Sequence, residues 1–294
     1  MVCTLEQNGC KWQHKFLATL PVGTFRKRWP GPLAGRLAGV PRVVARIGLE
    51  TDVPRNRKYR YVLGRWVDAV AFNADVMRAR FAAAMPEFPG ELVTIHTGLR
   101  PPRERAASEA RGFRASLGIP DDAQLIGSVG RLASQKRYER LVEALAELPE
   151  VHAVIVGEGS ERGRLEERAR ELGVADRLHL PGHRDDVGAA LATMDVFVIC
   201  SDREGMSNAM LEALWAGVPV VSTDVSGAVE ALGRLEGDVG DVGAPSSPGI
   251  VLPEAGELAP TLRGLLAEPD RLRGLGVAAR RVAEVRFEEG RMLD

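Results

Sequence analysis

Residues 195–223 read DVFVICSDREGMSNAMLEALWAGVPVVST, and the spacing of apolar residues changes twice along the stretch. Asp195–Cys200 is a nearly continuous apolar run of β-rich residues. From Ser207 onward Met210, Leu211, Leu214 and Trp215 fall at helical spacing. Ser207 or Asn208 is available as a cap, and Gly217 is the stop before Pro219. Pro219–Thr223 is a second apolar run. Strand, helix and strand in that order make a βαβ unit, whose strands run parallel and lie buried on both faces.

The same alternation continues outward in both directions. Apolar runs at 125–130 (LIGSVG), 152–157 (HAVIVG), 178–180 (LHL) and 249–252 (GIVL) are each separated by a helix-sized segment. YERLVEALAEL carries Leu141, Ala144, Leu145 and Leu148 at helical spacing, and ERGRLEERARELG closes on Gly173, a helix stop. The C-terminal part is therefore expected to be a complete Rossmann-like parallel-sheet domain over residues 106–294. Before it, RVVARIG (42–48) and ELVTIHTG (91–98) are strand-like, and YRYVLGRWVDAVAFNADVMRARFAAAM holds helix, strand and helix in turn. About three strands are expected there, a partial domain over residues 1–105. RPPRERAASEARG (100–112) reads as a linker, and the first 32 residues show no clear period.

Composition narrows the function classes. No apolar run approaches the roughly 18 residues that span a bilayer, and the N-terminus lacks the apolar core of a secretory signal, so a cytoplasmic protein is expected. Cys3, Cys10 and Cys200 have neither zinc-site nor disulfide-framework spacing. No metal site is expected. The net charge of −1 conceals a division: residues 1–118 hold 20 Lys and Arg against 9 Asp and Glu, and the rest is correspondingly acidic. FRKRWP and PRNRKYRYVLGRW interleave cations with aromatics, a pattern that suits an anionic membrane, a phosphorylated substrate or nucleic acid, and equally a solvated basic face.

The distinctive polar residues all follow strands, where ligands bind in open parallel sheets. After the first strand of the C-terminal part come Gly130, Arg131 and Lys136. The glycine lets backbone approach a ligand and the two cations can grip a diphosphate, although a surface Arg and Lys beside a turn would read alike. Gly157 and Gly159 do not complete GxGxxG, which argues against a nicotinamide dehydrogenase. His183 and Arg184 lie just beyond a third strand, with Asp185 or Asp186 available to cap the next helix. Glu204 and Glu212 flank Gly205-Met206-Ser207-Asn208, whose amides open a helix suited to phosphate. Two carboxylates in such a place repel each other at close range, so they are expected to do different work. A carboxylate accepts two hydroxyl hydrogen bonds at once, which suits a ribose or sugar diol.

GRLASQK, VGEGSERGRLEE, LPGHRDDV and DVFVICSDREGMSNAMLEALWAGVPVVSTDVSG together resemble the C-terminal domain of retaining GT-B glycosyltransferases of family 4, the glycosyl transferases group 1 enzymes. The resemblance runs through roughly residues 118–290, and RVVARIGLETD with RWVDAVAFNAD is similar to the later part of the family's N-terminal domain. It implies an α/β fold of GT-B type and a UDP- or GDP-linked sugar donor, with no cofactor. It also implies that Arg131 and Lys136 hold the diphosphate, Glu204 the donor sugar and Glu212 the ribose. Gly205, Met206, Ser207 and Asn208 then lie along sugar and phosphates, and His183 and Arg184 line the base pocket. The expected acceptor is a glycan, lipid or small molecule, with peripheral contact to the inner face of an anionic membrane and no nucleic-acid partner. The family's opening strand and Gly-rich loop have no recognisable counterpart, so a shortened member with impaired turnover is an expectation. A non-catalytic nucleotide-sugar-binding protein is the alternative.

Overall fold

The computed structural model describes residues 18–21, 30–49, 57–99, 107–232, 247–252 and 254–290. Two parallel sheets form. The N-terminal one runs β1 (Ala18–Pro21), β2 (Val43–Ile47), β3 (Ala69–Phe72) and β4 (Glu91–Thr94) in chain order, joined through α1 (Pro30–Leu37), α2 (Arg57–Trp66) and α3 (Asp75–Ala84). Its described core is Val43, Ile47, Leu63, Val70, Phe72, Phe81 and their neighbours. Four strands stand where about three were expected. The extra one, β1, lies within the stretch without a period, and the rest of residues 1–29 falls outside the described residues.

The second sheet contains β5 (Gln124–Val129), β6 (Val151–Val156), β7 (Leu178–Gly182), β8 (Val196–Ile199), β9 (Val220–Thr223) and β10 (Gly249–Leu252). Its spatial order is β10-β9-β8-β5-β6-β7. The chain winds outward from β5 to β7, then crosses back to β8 on the other side of β5. That reversal opens a crevice beyond the carboxyl ends of β5 and β8.

Helices cover both faces. Phe197, Val220 and Val154 share one core with Met210 and Leu214 of α8 (Asn208–Trp215) and Ala279 and Ala283 of α11 (Pro269–Arg286). Ile126, Ile155 and Val198 point the other way, onto α5 (Glu139–Ala146), α6 (Arg162–Glu171) and α10 (Leu258–Leu266). Because β8, β9 and β10 are buried at every position, they read as unbroken apolar runs.

The segment read as a linker is in part a helix: α4 spans Ala107–Ser116, with residues 100–106 outside the described residues. Phe113 enters the core, and Arg114 donates to the carbonyls of Ala123 and Thr193, both at 2.9 Å. Charge and small residues mimicked a linker, whereas Ala, Glu and Arg are also good helix formers once one side is buried. At the far end, after α11, the chain returns to the first sheet. Leu99 N–H donates to Phe287 O at 2.8 Å and Glu289 N–H to Leu99 O at 3.1 Å.

Leu214 is fully buried between α8 and the sheet, whereas Leu37 is 79% exposed. Leu214→Ala is expected to lower unfolding free energy by about 2–5 kcal/mol, and Leu37→Ala to change it by less than about 0.5 kcal/mol, as measured by urea denaturation.

Candidate functional site

The loops that follow β5, β6 and β8 are joined to one another before any ligand is considered. Gly130 N–H donates to Val156 O at 2.9 Å, Leu132 N–H to Glu158 O at 2.9 Å and Glu161 N–H to Leu132 O at 3.0 Å. The β5 loop then tightens into a short 3₁₀ turn, Ser134–Lys136, and leaves it through Arg137 at φ 51°. This left-handed residue is held by Asp202 at 2.8 Å and Glu139 at 3.1 Å. Asp202 also binds Arg140 at 2.8 Å, and its N–H donates to Gln135 O at 3.1 Å.

That turn swings Lys136 across the crevice. Lys136 Nζ lies 2.8 Å from Glu204 Oε2, and Ser201 Oγ donates to the same oxygen at 3.2 Å. The two charged side chains are 16% and 14% exposed. Beside Lys136 is a small hollow with a mixed lining, Ser128, Tyr138, Ser201 and Ser207 on the polar side and Val129, Phe197 and Ile199 on the apolar. Burial pushes the Tyr138 hydroxyl well above the usual phenol range and the Cys200 thiol up to about 12, so neither is an acid or nucleophile at neutral pH.

Gly205, Met206 and Ser207 are buried, and Asn208 is exposed. A Cβ on Gly205 would stand 2.4 Å from Gly48 O and 2.7 Å from Asn73 Oδ1, both in the N-terminal domain, so only glycine fits there. Ser207 occupies the cap position of α8 with extended backbone but makes no side-chain cap bond. The first bonded amide of the helix is that of Leu211, which donates to Ser207 O at 3.1 Å. The amides of Asn208, Ala209 and Met210 therefore precede the helical ladder, at the positive end of the helix dipole.

Glu212 sits one turn further along, half-buried, with no hydrogen bond or ion pair from its carboxylate among the described residues. Burial alone raises its carboxyl above the ordinary range; no second carboxylate contributes.

The other sequence candidates fall differently. Arg131 is exposed, and its guanidinium has no bonded partner among the described residues. His183 is 79% exposed beside Asp185, at 3.5 Å. Arg184 forks onto both oxygens of Asp186, at 2.8 and 2.7 Å, and stacks over Phe113. Asp186 does occupy the cap position of α7 (Val187–Leu191), but its carboxylate serves Arg184 and makes no cap bond. Neither His183 nor Arg184 is bonded to Lys136 or Glu204. Three residues that sequence reasoning did not single out, Asn73, His96 and Glu230, join the two domains beside Gly205. Their only signal was position: Asn73 and His96 follow the ends of β3 and β4, and Glu230 lies in the helix after β9.

An ionised Glu212 opposes folding, because the native state holds its proton more tightly than the unfolded chain. Glu212→Gln is expected to be more stable than wild type at pH 7–8. The difference should close as pH falls through the raised native value toward the ordinary 4.5, as followed by thermal unfolding across pH.

Comparison with known proteins identifies the family and the fold. The family model for glycosyl transferases group 1 matches residues 110–270. The lipopolysaccharide core biosynthesis glycosyltransferase LpsE of Rhizobium meliloti is 42% identical over 114 residues, 39% of this chain and 34% of that protein, so the match spans about a third of LpsE. The GDP-mannose-dependent alpha-(1-6)-phosphatidylinositol monomannoside mannosyltransferase of Mycolicibacterium smegmatis is 31% identical over 275 residues, 85% of this chain and 67% of that protein. Among solved structures, Anabaena Alr3699/HepE in complex with UDP-glucose superposes with a TM-score of 0.75 at 21% identity, covering 90% of this chain and 74% of that one. With its paired parallel sheets and a family match over more than half its length, the chain belongs to the glycosyl transferases group 1 family and has the GT-B fold.

Proposed function

We propose that the protein transfers a sugar from a nucleoside diphosphate-sugar to an acceptor hydroxyl with retention of anomeric configuration. One observation carries the reading. At the switch point of the sheet, a withdrawn Lys136–Glu204 pair joins the loops after β5 and β8, and the second of these leads into α8 with its open amides and the unpartnered Glu212. A cation, an anion-binding helix start and a diol acceptor are the three chemistries that a nucleotide-sugar demands.

Each residue has a role that follows from its surroundings. Glu212 accepts both ribose hydroxyls and regains the hydrogen bonds it lost on burial. Lys136 carries three N–H donors, so it keeps Glu204 and still reaches a phosphate oxygen. Arg131, exposed at the rim, closes on the diphosphate from the solvent side. Rupture of the bond between anomeric carbon and phosphate oxygen leaves negative charge on the diphosphate. Lys136, Arg131 and the α8 amides stabilise that charge as it develops. Glu204, fixed by Lys136 and Ser201, turns its remaining acceptor capacity to the sugar hydroxyls. The acceptor attacks from the face the leaving group vacates, and the departing phosphate takes its proton. His183 and Arg184 border the base.

The acceptor side belongs to the basic N-terminal domain. Arg57, Lys58, Tyr61 and Arg65 are exposed on α2, which suits an acceptor in or near an anionic membrane, and a lipopolysaccharide-core relative supports a cell-envelope glycan or lipid. No helix among the described residues is long and apolar enough to cross a membrane.

Calorimetry with UDP, GDP and their sugars tests the assignments. Glu212→Ala is expected to weaken binding of the bare diphosphate by about tenfold to a hundredfold. Glu204→Ala should weaken only the sugar-bearing donor, since a Lys136 freed of its counter-ion holds phosphate at least as well. Lys136→Ala should lower turnover by about 10²–10³-fold. Unchanged diphosphate affinity in Glu212→Ala overturns the ribose role, and donor binding without transfer or hydrolysis makes the chain a binding protein.

A further inference from the structure

The two domains meet through a polar cluster whose centre is Glu230, on α9 (Ser226–Leu232) of the C-terminal domain. Its Oε2 accepts the N–H of Val76, the second residue of α3, at 3.3 Å, and its Oε1 is bonded to His96 Nε2. Helix α3 has no cap of its own. The residue before it is Ala74, in extended conformation with no side chain able to accept a bond. One domain therefore supplies the capping carboxylate for a helix of the other.

The surroundings reinforce the join. Arg80 donates to Ser226 Oγ at 3.2 Å, and Arg286 of α11 donates to Glu230 O at 3.0 Å. Asp75 Oδ2 lies 3.7 Å from His96 Nε2, while its Oδ1 takes Thr94 at 2.7 Å and Arg78 at 3.2 Å. The Glu288 and Glu289 backbone runs beside Gly98, two residues past His96. Asp75, His96 and Glu230 also have the chemistry of metal ligands, but Val76, Thr94 and Arg78 already occupy oxygens that would face a cation.

The elements that meet at Glu230 also grip the loop between the two site carboxylates. Asn73, just before α3, donates to Gly48 O at 3.2 Å and toward Met206 O at 3.5 Å. Gly227, at the start of α9, approaches so closely that a Cβ there would lie 2.1 Å from Gly205 O.

We propose that Glu230 is an interdomain positioning residue: by capping α3 and holding His96, it fixes Asn73 and Gly227 on either side of Gly205–Met206 and so sets that loop for the sugar-bearing donor. The donor part rests on the function proposed above. The hydrogen bond to Glu230 foremost, then the charges of Glu230 and Asp75, raise the His96 imidazole above its ordinary 6.5, against burial and Arg286. The proton-dependent part of the grip is therefore full below 6.5 and fades as pH rises through the raised value.

The full-length chain is titrated with UDP-glucose and GDP-mannose, each beside its bare diphosphate, from about pH 6 to about pH 9. Glu230→Ala is expected to raise the donor Kd and KM about tenfold while the diphosphate Kd moves less than about twofold and kcat stays near wild type. Wild-type donor affinity should fall with rising pH, and Glu230→Gln and His96→Gln should each flatten that profile. Equal weakening of donor and bare diphosphate, or a pH profile unaltered in both variants, overturns the proposal. Should wild type bind no nucleotide-sugar, the functional reading fails separately, and small-angle scattering without nucleotide still judges the join. Glu230→Ala should be more extended than wild type at acid pH, and identical curves overturn it.

Discussion

The pair formed by Lys136 and Glu204 is the contact on which the rest of the site depends. Withdrawing an ammonium and a carboxylate from water costs several kcal/mol each, and only their mutual attraction with good geometry offsets it. The loops that carry them are therefore bound to stay in register across the point where the sheet reverses its winding. The left-handed Arg137 makes sense in that light. It spends roughly 1–2 kcal/mol of backbone energy to aim the preceding residue across the crevice, and Asp202, itself held by Arg140, secures it through one guanidinium contact.

Much of this was legible in the chain because burial on both faces writes unbroken apolar strands, and helix spacing between them is hard to mistake. Strands β5 to β10 and helices α5, α6 and α8 follow the sequence reading closely. Lys136 and Glu204 lie in the loops that follow β5 and β8, and Glu212 lies in the helix after β8. What escaped was decided by partners far away in sequence. The α4 segment is polar enough to pass for a linker until Phe113 finds the core. Asp186 has the identity and place of a cap, yet the guanidinium two residues earlier claims it. Asn73, His96 and Glu230 carry no local pattern, since the contacts that define them join residues more than a hundred positions apart.

The apolar cores divide almost entirely by domain, whereas the join between domains is mostly hydrogen bonds and ions. Such interfaces open and close more readily than a shared hydrophobic core would. Gly205 is the exception to that looseness. Its missing side chain lets backbone from the other domain approach the loop directly, so the shape of the site is shared between the domains.

The return of the chain to Leu99 after α11 has a consequence for how the molecule is made. The residues beside β4 find their backbone partners only when Phe287 and Glu289 have left the ribosome. The stretch that follows β4 thus waits for the whole second domain before its backbone is paired. That contact spans most of the polypeptide, and its loop-closure entropy must be met before it can form. The strands of both sheets pair over far shorter separations, so each sheet is in a position to form before that return is made.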